Sequence, residues 1–149
     1  MLNKNAFILL MYLGALPFVA GALLSLFSID IQSWLGTVKH AVSLYALVIV
    51  VFMAGVLWGV MLSAKDNAAF SQANFLISNV ITLAPWLVYL MMPDSSTFLV
   101  VTAFAFLWLL VIDKKLFQQR LITQSYYRAR KWVSAIVVLS LLILAADMH

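Results

Sequence analysis

The sequence has no cysteine and no glutamate, and only two histidines. Without thiols there is no disulfide framework, no thiolate metal site and no cysteine nucleophile. Charge is scarce as well, since nine Lys+Arg and five aspartates make up 9% of the chain, against about a quarter in an ordinary soluble domain. That is too little to coat a water-soluble globule. A soluble domain, a disordered chain, a coiled coil and a nucleic-acid-binding domain all fit poorly, and no nucleic-acid partner is expected. There is no Gly-rich phosphate loop, no HExxH, no GxSxG and no acidic metal cluster.

What the sequence has is apolar length: 66% of its 149 residues are hydrophobic. A bilayer core of about 30 Å needs around 20 apolar residues in a helix, because only internally closed hydrogen bonding survives there. Five stretches qualify, at residues 6–27, 41–63, 73–92, 97–112 and 132–146, the last two being short. The expected fold is all-α, an integral membrane bundle of five transmembrane helices in one domain spanning 1–149. Residues 6–27 are too long for the apolar region of a signal peptide, so this stretch reads as a retained helix. No Arg- and Ser-rich presequence stands ahead of it, which points to a bacterial inner membrane.

Basic residues set the orientation. The segment 113–131 carries Lys114, Lys115, Arg120, Arg128, Arg130 and Lys131, and five spans put it on the same side as Lys4 and Lys65. Lys39 is the one basic residue left for the other side. The N-terminus is therefore expected to be cytoplasmic and the C-terminus periplasmic. The segment 113–131 has an apolar side in Leu116, Phe117, Leu121 and Ile122, and it reads as an interfacial helix. Within it, Tyr127, Arg128, Arg130 and Lys131 form the densest polar-aromatic cluster, suited to lipid headgroups or the acidic surface of a partner. Asp113 is placed to pair with Arg128 or Arg130.

Gly55 and Gly59, four apart in the second span, clear one helix face for a close approach by another backbone. Gly14 and Gly21 repeat the theme in the first span, beside Pro17 as a possible kink. Such seams serve either packing within one bundle or a dimer or partner interface. In the third span Asn74, Ser78 and Thr82 recur every four residues, near Asn79, Pro85 and Tyr89. An amide in hydrocarbon must be hydrogen-bonded. The stripe is either glue between helices or, with Trp58, Asn79, Thr82 and Trp86, the lining of a pocket for a small lipophilic ligand. The aspartates all lie in loops or at span ends, away from the mid-membrane position of a proton relay. His40 and His149 are poorly placed for haem, so no cofactor and no metal are expected.

The order of motifs resembles a known family. Tyr12-Leu13-Gly14-Ala15-Leu16-Pro17-Phe18 opens the first span, and Tyr45, Gly55 and Trp58-Gly59 lie in the second. Ser78-Asn79 and Trp86-Leu87 mark the third, Asp113-Lys114-Lys115-Leu116 closes the fourth, and Tyr127-Arg128-Ala129-Arg130 leads into the fifth. This set resembles the domain-of-unknown-function 3429 (DUF3429) family, bacterial relatives of the mitochondrial transmembrane protein 69. The resemblance implies a compact five-helix inner-membrane protein and brings no activity, cofactor or catalytic residue. The Pro- and Trp-rich first loop of the translocator protein family is missing, because residues 28–40 contain no proline.

The function expected on these grounds is noncatalytic, an accessory or assembly subunit of a membrane complex. Its partners would be membrane lipids and a membrane protein or a second copy. The alternative is a binder or carrier of a quinone, lipid or porphyrin. No nucleophile–base pair is visible to make it an enzyme.

Overall fold

In the computed structural model the described residues are 4–29, 36–63 and 68–147. Their regular structure is entirely helical: α1 (Lys4–Leu13), α2 (Leu16–Leu26), α3 (Val38–Ser63), α4 (Ala68–Met91), α5 (Ser96–Gln118) and α6 (Gln124–Ala146). Five segments are long and apolar enough to cross a bilayer, namely Ile8–Leu26 across α1 and α2, Val38–Ser63, Ala73–Met91, Ser96–Gln118 and Gln124–Ala146. The chain is a multi-pass membrane protein.

The first span is broken by its own sequence. Pro17 has no N–H to donate, so the ladder tightens at the junction, and the amides of both Phe18 and Val19 reach Ala15 O, at 3.2 Å each. Gly14 O, which a regular helix would pair with the Phe18 amide, is left over. The Tyr45 hydroxyl, coming from α3, donates to it at 3.0 Å. The ring of Phe18, fully buried, packs tilted on Tyr45 and edge-on to Phe106 of α5.

The spans form a ring in which α2 packs on α3 and α6, α3 on α4, α4 on α5, and α5 on α6, with α3 also touching α5 across the centre. The α5–α6 hairpin is the most extensive contact. Its seam is heptad-like: Phe98, Thr102, Phe106, Leu109, Asp113 and Leu116 face inward from α5, and Arg130, Val133, Val137, Leu141 and Leu144 from α6. Alternation of direction is visible at the ends. His40 Nδ1 meets Asp94 Oδ2 at 2.8 Å, tying the start of α3 to the α4–α5 turn, and the Ser25 hydroxyl donates to Asp147 at the same end.

The segment 113–131 is not the separate interfacial helix that its charges led one to expect. Residues up to Gln118 continue α5, residues from Gln124 begin α6, and both helices have 23 residues, about 35 Å. The spans are therefore longer than their uncharged cores at 97–112 and 132–146. The physical reason is that two of the segment's charges neutralise each other inside the bundle, so the helices need not stop before them. The turn between is a Schellman motif, in which Leu121 N donates to Leu116 O and Arg120 N to Phe117 O, both at 3.0 Å. Thr123 caps α6, accepting from the Tyr126 amide at 3.3 Å, and Ser95 caps α5 in the same way, accepting from Phe98 N at 3.1 Å.

Two substitutions test this local reading. Arg120 occupies the left-handed position of the motif with φ +59°, where glycine is free of Cβ strain. Arg120→Gly is expected to raise stability by about 1 kcal/mol. A Cβ on Gly21 would stand 2.5 Å from Val42 Cγ2 on stiff, β-branched α3. Gly21→Ala is expected to destabilise by about 1–3 kcal/mol. Thermal unfolding in detergent, followed by circular dichroism, measures both.

Candidate functional site

Asp113 and Arg130 form a salt bridge inside the bundle, with relative exposures of 1% and 7%. Arg130 Nε and Nη2 each lie 2.9 Å from Asp113 Oδ2, and Nη1 points to Met53 Sδ at 3.0 Å. Three helices thus meet at one guanidinium: α6 supplies it, α5 its counter-ion and α3 a thioether. The pairing with Asp113 is among those the sequence offered. Burial of Arg130 departs from its expected role as a headgroup contact, because its side chain turns into the seam. Of the other residues in that cluster, Tyr127 stacks on Phe117 with centroids 5.0 Å apart, while Arg128 and Lys131 stay exposed.

The polar stripe of α4 is divided. Asn74 and Ser78 are buried, and Asn79 is exposed with its amide nitrogen donating to Phe75 O at 3.0 Å in its own helix. The Trp58 indole donates to Ser78 Oγ at 2.8 Å, and its ring stands edge-on to Phe75. Ser78 Oγ in turn donates to Phe75 O at 2.8 Å, and Thr82 Oγ1 to Ser78 O at 3.0 Å. Trp86 is 44% exposed on the outer surface. The Trp58–Ser78 bond joins α3 to α4 as glue, while Asn79 and Thr82 close within α4. Asn79 and Trp86 face away from that contact. The reason is angular: a step from Ser78 to Asn79 turns the side chain about 100° around the helix.

The glycines divide as well. Gly21 is a true close approach, with Val42, Val38 and Leu144 around it, and Gly14 faces Tyr45. Around Gly55 and Gly59 a Cβ would meet none of the described residues within 4 Å. They lie on the outer face of α3 among exposed Val48, Phe52, Val56 and Leu62, because Met53, Ala54, Leu57 and Met61 take the inner face.

Two residues that sequence reasoning passed over belong to the same neighbourhood as the ion pair: Met53, and Ser134, which follows Arg130 by one helical turn. Both sit in unremarkable apolar runs, and the seam spacing of α6 is the one signal that puts Ser134 beside Arg130. Among the described residues no group of three His or Asp side chains comes together as a metal site. Asp66 and His149 lie outside the described residues.

Breaking the buried pair is expected to be severe and removing it whole mild. Asp113→Asn leaves the guanidinium without a counter-ion and should cost about 3–5 kcal/mol, whereas Asp113→Leu combined with Arg130→Met should come within about 1 kcal/mol of wild type. Melting of the three proteins in one detergent distinguishes an energetically coupled pair from two independent charges.

Comparison with known proteins adds one finding. No curated protein and no solved structure matches this chain. The family model described as "Protein of unknown function (DUF3429)" matches residues 3–146, nearly its whole length. A five-span helical bundle with those motifs in that order, matched along that length, belongs to the DUF3429 family.

Proposed function

We propose that this protein is a noncatalytic subunit of the bacterial inner membrane that works by association, as an accessory or assembly factor of a membrane complex. The observation that carries the reading is the open glycine face of α3. Two glycines one turn apart lower the helix surface, and none of the described residues fills the groove. Helix association in lipid draws on close packing rather than on hydrophobic exclusion, so such a groove is where a second backbone gains most. Ordinary lipid-facing surface has no need of it.

The placement of charge supports an N-terminus in the cytoplasm and a C-terminus in the periplasm, by the positive-inside rule. Exposed Arg128 and Lys131 then face the cytoplasmic headgroups, beside the stacked ring of Tyr127. They hold the α5–α6 hairpin at the interface and offer a basic surface to an acidic partner.

Because the chain has no cysteine, single cysteines report association without background. Gly59→Cys in native membranes is expected to crosslink to a companion of defined mass. Gly55→Ile together with Gly59→Ile should abolish that companion while leaving the monomer's melting temperature within about 2 °C, a shift of about 0.5–1 kcal/mol for this size of chain. Extraction as monomer alone, with no crosslink at position 59, would refute the proposal.

A further inference from the structure

Arg130 borders a cleft of about 130 Å³ between α1, α2, α3, α5 and α6. Its walls are apolar, with Phe18, Ile49, Phe106 and Val137 prominent. Two of its lining residues, Leu10 of α1 and Phe52 of α3, are exposed on the outside of the bundle at 63% and 65%. A molecule dissolved in the bilayer can enter there without crossing water.

Two hydrogen-bond donors border this cleft, and neither has a strong acceptor. Arg130 directs Nε and Nη2 to Asp113, and Nη1 lies against the thioether of Met53, a weak acceptor. Ser134, 1% exposed and one turn further along α6, has no partner for its hydroxyl among the described residues. Placing a donor in an apolar interior without an acceptor is unfavourable, and the low dielectric raises the penalty. A polar atom from a bound molecule removes it.

We propose that this cleft binds the carbonyl end of a neutral lipophilic molecule, with the oxygen accepting from Arg130 Nη1 and Ser134 Oγ and the apolar part lying between Phe18 and Val137. The ligand is an acceptor because both groups are donors. It is neutral because Asp113 already balances the guanidinium, so a carboxylate would add an uncompensated negative charge in a low-dielectric site. Size sets the third condition. An apolar cavity of about 150 Å³ holds a benzene ring, so this cleft takes a single ring or a short run of methylenes. A porphyrin is too large. Two sources share that chemistry, the ester of a glycerolipid and the ring of a quinone. Phe52 is shared with the outer face of α3, but neither Gly55 nor Gly59 lines the cleft and both donors lie on α6, so the site stands or falls separately from association through the glycines.

The test titrates the purified full-length protein, in one detergent, with decylubiquinone, methyl laurate, laurate and dodecane, reading the rise in melting temperature. At least one of the two neutral carbonyl compounds is expected to give a saturable rise, and laurate and dodecane none. Saturation by decylubiquinone alone identifies the ring, and by methyl laurate alone the ester. Ser134→Val is expected to melt no lower than wild type when unliganded, since its hydroxyl has no partner to lose, and to need at least fivefold more ligand for half-saturation. Ser134→Ala should follow the same pattern. The proposal is overturned by an equal response to dodecane or to laurate, by no response to either carbonyl compound, or by unchanged affinity in both Ser134 variants.

Discussion

Hydrocarbon does not hydrogen-bond, and every polar group carried into it must find its partner within the protein. In this chain the most demanding case is the guanidinium of Arg130. A lone arginine in the seam of α5 and α6 would push α6 towards the interface and shorten the span. Asp113, about one and a half turns before the end of α5 and in the helix register that also carries Leu109 and Leu116, takes that charge at 2.9 Å. With the pair closed, both helices run through the polar segment and gain the length that their uncharged stretches lack. The position of α3 follows, since Met53 lies against the same guanidinium. One ion pair thereby sets the depth of two spans and the rotation of a third.

How far the sequence discloses this varies with what each residue has to do. The number of spans is legible because the bilayer sets a minimum length that each apolar stretch either meets or misses. The end of a span is less legible, because charges read one at a time look like boundaries, and pairing belongs to tertiary structure. Residues 113–131 illustrate this, for the same aspartate and arginine that suggest an interfacial helix are what remove the need for one. The stripe of Asn74, Ser78 and Thr82 is visible by its spacing, but which neighbouring polar residue turns outward depends on the packing of α3 against α4. Glycine is the hardest case. Gly21 and Gly55 look alike in sequence, and only the inward run of Met53, Leu57 and Met61 decides that Gly55 and Gly59 face out.

The polar groups of the candidate site also sort by whether the chain satisfies them itself. Trp58 bonds Ser78 across from α3 to α4, Ser78 and Thr82 close their own hydroxyls within α4, and all three act as structure. Ser134 and the Nη1 edge of Arg130 do not close with a strong acceptor. Residues of the first kind hold a bundle together and those of the second kind leave it receptive. Spacing alone makes both look like the same feature, a polar side chain in an apolar helix.

The hydrogen bond from Tyr45 to Gly14 has a consequence for how the protein is made. During synthesis the first span emerges with the Gly14 carbonyl unpaired, because the Phe18 amide next to Pro17 turns to Ala15 O, and the Tyr45 hydroxyl that replaces it lies 31 residues further along the chain. Held alone in the bilayer, that span carries an unanswered acceptor; inserted together with the second, it does not. The α5–α6 pair has the same property, because Asp113 and Arg130 are 17 residues apart on opposite sides of a turn. The lowest-energy route into the membrane is therefore by hairpins, with each polar group crossing the hydrocarbon only in the company of the residue that answers it.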